Sequence, residues 1–165
     1  MDLVGAAAVV TGGTGSIGPK IMAGLAAMGA VPVAWDLFVD GTAERGVACD
    51  VGDPDSVEAA MNQTVRQWGL PTVLVTAAAI SSGFSPLARS AGDSDWPFVL
   101  TGPSDWERVL RVNVIGVANC MRVFARQLAR AGRPGAIVNI SSMASGPVAE
   151  PGLTAYSASK AASTS

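Results

Sequence analysis

Short apolar runs alternate with helix-spaced apolar residues along most of this chain. Residues 6–10, AAAVV, form an apolar run of strand length. Ile17, Ile21, Met22, Leu25 and Met28 then recur at a spacing that predicts a helix, which Gly29 stops. A second strand is expected over residues 31–35, with Pro32 confined to its start, and a short third over 47–49. Asp53-Pro54 reads as the N-cap and first-turn proline of a helix. Val57, Met61, Val65 and Trp68 form its expected buried stripe, and Gly69 ends it. A fourth strand is expected over 72–75. Residues 81–103 show no period, are rich in Gly, Ser, Pro and Asp, and read as a long loop. Ser104-Asp105-Trp106-Glu107 has the form of a capping box. It predicts the longest helix, to about Ala131, with Trp106, Leu110, Asn113, Val117, Cys120, Phe124 and Leu128 on one face. After a turn at Gly132-Arg133-Pro134-Gly135 comes a fifth strand over 136–140, and the tail from about Thr154 is a last short helix. Alternation of this kind means right-handed βαβ units and a parallel sheet. No repeat or internal boundary interrupts it, so residues 1–165 read as one domain.

Composition narrows the chemistry. Of 165 residues 49% are hydrophobic and only 15% charged, which suits a sheet covered on both faces. A net charge of -2 offers no basic face for nucleic acid. The apolar N-terminus lacks the basic start of a signal peptide, and no stretch approaches the roughly 18 apolar residues of a membrane span. A cytoplasmic location is therefore expected. The chain has no histidine, which removes Ser-His-Asp and Cys-His catalysis and most zinc sites. Cys49 and Cys120 stand far apart in apolar settings and read as buried, reduced thiols, and no metal site is expected.

Two constellations carry chemistry. The first strand runs into VVTGGTGSIG, where Gly13-Thr14-Gly15-Ser16-Ile17-Gly18 matches G-x-G-x-x-G between a strand and a helix. Such glycines let the backbone turn sharply and approach a pyrophosphate, whose charge meets N–H groups at the helix start. The alternative is a tight turn without a ligand. Asp36, at the end of the second strand, is placed to bind a ribose 2′-hydroxyl. Its charge favours NAD over NADP, and no Lys or Arg lies beside it in sequence. Asp40 is a weaker candidate for that role. The second constellation is Tyr156 and Lys160, four apart and so on one face of a helix. A phenol ordinarily ionises near pH 10, and a nearby ammonium favours the phenolate. Such a pair can exchange a proton with an alcohol or ketone while hydride moves to or from nicotinamide, and the lysine can bond the nicotinamide ribose. Alone, this spacing is commonly just a surface pair.

In order along the chain, TGGTGSIG at 11–18, Asp36, CDV at 49–51, TAAAI at 76–80, RVNVIG at 111–116, IVNISS at 137–142 and YSASK at 156–160 resemble the short-chain dehydrogenase/reductase family. The resemblance implies a Rossmann-type α/β fold, a doubly wound parallel sheet of strand order 3-2-1-4-5 that lacks the family's last strands. It implies a reaction between a secondary alcohol and a ketone, with NAD as cofactor and NADP less favoured. Tyr156 would be the general acid/base, Lys160 its partner, and Ser142 a hydrogen-bonding partner of the substrate oxygen. Asn113 would hold a water linked to Lys160. Gly12, Gly13, Gly15, Ser16, Ile17 and Gly18 would take the phosphates, Asp50 and Val51 the adenine, and Ala78 and Ala79 would lie along the cofactor. A homodimer or homotetramer is implied for the whole protein. Asn113 on an apolar stripe also reads as a satisfied core amide, and Ser142 as part of an ordinary strand-to-loop transition.

The chain departs from the family in places. Ser16 gives the loop the form TGxxGxxG, typical of the extended branch that includes sugar-nucleotide epimerases and dehydratases. The other motifs favour the shorter branch. TAAA replaces the usual NNAG, so Thr76 stands for an asparagine that braces the sheet and Ala79 for a glycine near the cofactor. The loop 81–103 is long, and Phe84, Leu87, Trp96 and Phe98 are candidate walls of a substrate pocket; a surface insertion is the alternative. Family members continue well past the catalytic helix, so this chain reads as C-terminally truncated, with a natural short form as the alternative. Its fifth strand is then expected to be an apolar edge. A catalytically incomplete NAD-binding module is the second functional reading.

Overall fold

A computed structural model of the chain describes residues 3–39, 43–81, 102–146 and 153–163. Asp40 and the loop residues Phe84, Leu87, Trp96 and Phe98 lie outside the described residues. The chain forms two compact units, Met1–Ala78 with Gly116–Ile140, and Ala79–Ile115 with Ser141–Ser165. The strands are β1 (Ala7–Thr11), β2 (Val31–Asp36), β3 (Gly46–Ala48), β4 (Val73–Thr76) and β5 (Ala136–Asn139). The helices are α1 (Gly18–Ala27), α2 (Pro54–Trp68), α3 (Pro103–Leu110), α4 (Val117–Ala131) and α5 (Thr154–Ala162).

The first unit is built on a five-stranded parallel sheet of order β3-β2-β1-β4-β5, as expected. Every residue of β1 and β4 is buried, because strands in the middle of a doubly covered sheet have no solvent face. Ala8, Val10, Val73 and Val75 pack with Leu25 and Ala30 under α1. Val9 and Leu74 point to the opposite face by the two-residue period of a strand, where α2 and α4 pack. Each fully buried valine or leucine contributes roughly 1.5–3 kcal/mol.

Pro32 is buried one residue inside β2. The Val31 N–H bonds the Ala6 carbonyl on the β1 side, and the Ala34 N–H bonds the Arg45 carbonyl on the β3 side. Position 32 therefore faces the β3 side, where β3 has not begun, and the missing proline N–H breaks no ladder.

Asp53 caps α2 by accepting from the Asp55 N–H at 3.0 Å. The buried stripe of α2 is Val57, Ala60, Met61 and Thr64, whereas Val65 and Trp68 are half-buried. Thr64 takes a stripe position because its hydroxyl accepts from the buried Trp35 indole at 2.9 Å and donates to the Ala60 carbonyl. β5 is the edge of the sheet, with Ile137 37% and Val138 48% exposed.

Two expectations for the long helix need correction. It starts at Pro103, one residue before the expected cap. Gly102 is the N-cap, and the Asp105 carboxylate accepts the Gly102 N–H at 3.3 Å. A proline is preorganised for the first helical position, which moves the start. The helix is also not continuous α, since Arg111–Gly116 is π-helical between α3 and α4. Val112, Val114 and Ile115 are β-branched and only weakly favour the α form.

Candidate functional site

In the first unit, the candidate cofactor residues gather at the carboxyl ends of the strands. Parallel register aligns Thr11 with Trp35 and Thr76, and Asp36 with Ala48. The N–H of Gly12 bonds the Trp35 carbonyl at 2.8 Å, which ties the start of the glycine loop to β2. Gly12 has φ +66°, and a Cβ on it would lie 2.8 Å from Ala78 Cα. A side chain there is excluded both by backbone strain and by the approach of the β4 end. A Cβ on Gly18 would collide with the carbonyls of Gly12 and Gly13. The loop is thus packed against its own backbone. Gly15, Ser16 and Ile17 face solvent, and the amides of Ser16 and Ile17 have no acceptor among the described residues. A glycine turn with unused N–H groups ahead of a helix start is the cradle a pyrophosphate needs, so the residues fit a dinucleotide.

Asp36 is half-buried just past this loop. Its Oδ2 accepts the Thr14 N–H at 3.1 Å and the Thr14 hydroxyl at 2.7 Å, and its Oδ1 accepts the Leu37 N–H at 2.9 Å. Asp50 closes the turn after β3, with Oδ1 accepting from the Gly52 N–H. Val51 is buried, its carbonyl accepts from Asn119, and its side chain packs where Gly116 has none. These contacts fix Asp50 and Val51 in the turn after β3, at the carboxyl end of the sheet. Ala78 ends the first unit, and its N–H, like that of Ala77, donates to the buried Thr11 hydroxyl at 3.1 Å. Ala79 is exposed and belongs to the second unit. Thr76 braces the sheet through its own hydroxyl, which donates to Asn139 at 2.8 Å.

In the second unit, the four expected catalytic residues meet around α5. Asn113, in the π-helical turn, is fully buried. Its amide donates to the Ile80 carbonyl and the Ser159 hydroxyl, each at 2.9 Å, and accepts the Ile80 N–H at 2.9 Å. Ser159 in turn donates to the Tyr156 carbonyl at 2.6 Å. The side-chain amide of Asn113 thus positions α5 and the backbone at Ile80. Replacing Asn113 by alanine is expected to destabilise the chain by about 2–4 kcal/mol in chemical denaturation, because it takes the partner from both the N–H and the carbonyl of part-buried Ile80.

Tyr156 is half-buried. Lys160, one turn on, is only 3% exposed, and its Nζ lies 5.8 Å from the Tyr156 ring centroid. Burial pulls the Lys160 ammonium below its ordinary pKa. Ser142 caps a short 3-10 turn (Met143–Ser145) that packs against α5, its hydroxyl accepting from the Ala144 N–H. No hydrogen bond joins Ser142 to Tyr156 among the described residues. The hydroxyl of the neighbouring Ser141 lies 3.5 Å from the Lys160 carbonyl.

Sequence reasoning missed Thr11, Thr14 and Ser159. Their only signal was a small hydroxyl residue inside or beside an otherwise apolar or glycine-rich motif. Cys49 and Cys120 are buried free thiols, and burial pushes Cys49 up to about 12. Among the described residues, no group of His, Cys, Asp and Glu could hold a metal, and no helix is long and apolar enough to cross a membrane.

A family model described as short chain dehydrogenase matches residues 6–165. The 2-dehydro-3-deoxy-L-rhamnonate dehydrogenase (NAD(+)) of Sphingomonas sp. (strain SKA58) is 32% identical over 165 residues, covering 95% of this chain and 61% of that protein. The D-threitol dehydrogenase of Mycolicibacterium smegmatis is 34% identical over 170 residues, covering 96% of this chain and 60% of that protein. Among solved structures, an NAD+-bound xylitol dehydrogenase superposes with a TM-score of 0.81 at 26% identity, covering 98% of this chain and 62% of the other. The chain spans about 60% of the length of the curated relatives it matches.

Proposed function

We propose, starting from the fact that this chain belongs to the short-chain dehydrogenase family, that it is the dinucleotide-binding and proton-transfer part of an NAD-dependent oxidoreductase. The reaction interconverts a secondary alcohol and a ketone. The observation that carries this reading is the burial of Lys160 one helical turn from Tyr156, in a chain whose β1–α1 turn is a glycine cradle.

Nicotinamide, when bound, accepts or supplies the hydride. The work of the chain is binding, orientation and proton transfer. The glycine loop holds the pyrophosphate with backbone amides, and Asp36 accepts a ribose hydroxyl. Tyr156 takes the hydroxyl proton of the alcohol, or returns it to the ketone oxygen. Lys160 supplies a positive charge beside the tyrosine, and Ser142 donates to the substrate oxygen. Asn113 and Ser159 hold α5 so that these groups keep their geometry. The names of the D-threitol and xylitol dehydrogenases make polyhydroxylated carbon chains one substrate class to screen. Those relatives are dehydrogenases, so an epimerase reading based on Ser16 gains no support. The same reading makes the whole protein cytoplasmic, and homodimeric or homotetrameric.

The test is a fluorescence titration of the purified chain with NADH, with NADPH in parallel. Saturable binding that prefers NADH is expected. Asp36→Ala should cost NADH about tenfold, the effect of one lost hydrogen bond to a charged group, and NADPH much less. Equal losses would remove Asp36 from the ribose. No binding of either dinucleotide by the folded wild-type chain would overturn the cofactor reading.

A further inference from the structure

Asp36 enters the ribose reading as one carboxylate, but three donors surround it. Thr14 gives both its N–H and its hydroxyl to Oδ2, at 3.1 and 2.7 Å, and Leu37 gives its N–H to Oδ1 at 2.9 Å. A carboxylate offers about four acceptor directions. One, on Oδ1, is left for a ligand. The clamp is anchored, because Gly12 and Gly13, just before Thr14, both direct their N–H groups at the Trp35 carbonyl, just before Asp36. The glycine loop and the end of β2 are therefore tied at adjacent positions on both sides. The Thr14 hydroxyl also has a second acceptor within reach, the Phe38 carbonyl at 3.4 Å.

We propose that Thr14 is a positioning residue for cofactor choice, clamping the Asp36 carboxylate so that its charge stays where a ribose 2′-hydroxyl is accepted and a 2′-phosphate repelled. This rests on the dinucleotide reading above. Asp36 is the last residue of β2 and half-exposed, with Leu37 and Phe38 exposed after it. Without the hydroxyl, only the two backbone amides would hold the carboxylate. The side chain could then turn toward solvent. Both halves of the discrimination would weaken together: the hydroxyl would lose an oriented acceptor, and the phosphate would no longer meet a fixed negative charge.

The test measures NADH and NADPH dissociation constants for the wild-type chain and for Thr14→Val, Thr14→Ser and Asp36→Ala. Thr14→Val keeps the shape and removes the hydroxyl, whereas Thr14→Ser keeps the hydroxyl. Thr14→Val should lower the preference for NADH over NADPH about tenfold, the effect of one charge-assisted hydrogen bond, and Thr14→Ser should keep the wild-type ratio. Should Thr14→Val fail to fold, Thr14→Ala makes the same deletion without the branched side chain. An unchanged ratio in Thr14→Val or Thr14→Ala, with Asp36→Ala losing its preference, would overturn the role of Thr14 and leave the cofactor reading standing. A Thr14→Ser variant that loses the ratio like Thr14→Val would overturn it too, since the hydroxyl would not be the operative group. A folded wild-type chain that binds neither dinucleotide, or prefers NADPH, would sink the cofactor reading and this inference with it.

Discussion

Tyr156→Phe is expected to lower turnover of a secondary alcohol by roughly 10²–10⁴-fold, the range a positioned general acid/base contributes. NADH affinity should stay within about twofold of wild type, because the lost oxygen acts on the proton in the transition state. The substitution removes one oxygen and keeps the ring, so the packing beside Lys160 is retained. Tyr156 is anchored by its main chain, whose carbonyl accepts the Ser159 hydroxyl, and by the buried Ala155 and Ser159 on the same helix. None of these contacts depends on the phenol. The glycine loop and Asp36 lie on other elements. The measurement is initial-rate kinetics by NADH absorbance, in a chain extended to the length of its relatives, beside an NADH titration. Undiminished turnover would take the proton from Tyr156. A parallel collapse of NADH binding would mean that the substitution had damaged structure rather than chemistry.

Gly18→Ala should abolish saturable NADH binding, or weaken it at least tenfold, equivalent to about 1.4 kcal/mol. The added methyl group would lie 2.5 Å from the Gly13 carbonyl oxygen and would also meet the Gly12 carbonyl. These are backbone atoms with no rotamer to change. Overpacking of this kind typically costs about 1–3 kcal/mol, and here the relief is displacement of the loop from its cradle geometry. Gly24 supplies the control within the same helix, since a Cβ there meets nothing within 4 Å. Gly24→Ala should leave binding unchanged and raise stability by about 0.5–1 kcal/mol, the usual gain for alanine over glycine in a helix. Equal NADH affinity for the two variants would show that the loop is not where the dinucleotide sits.

Much of the fold was legible because its signals are local. The apolar run before the glycine loop, the Asp53-Pro54 start of α2 and the Gly29 stop of α1 each depend on residues within a turn of one another, and each element lies within one or two residues of its expected place. The parallel order β3-β2-β1-β4-β5 followed from the family resemblance and from alternation. The errors lie where a stronger neighbouring signal or a long-range contact outweighs the expected pattern. Ser104 looked like a cap, but Pro103 and the Asp105 carboxylate moved the start to Gly102. Val65 and Trp68 looked like core, but the Trp35 indole drew Thr64 into that stripe instead.

The sequence by itself determined the order of strands and helices, the glycine turn between β1 and α1, the acid at the end of β2 and the Tyr156–Lys160 pair. These are written in spacing and turn chemistry, which act over a few residues. Only the tertiary structure decided that Arg111–Gly116 winds as a π-helix, that Asn113 spends its amide on Ile80 and Ser159, and that Thr14 clamps Asp36. Those partners stand 33, 46 and 22 residues apart in the chain. A polar side chain in a buried place takes whichever partner the packed fold brings within reach, and spacing along the chain does not say which that will be.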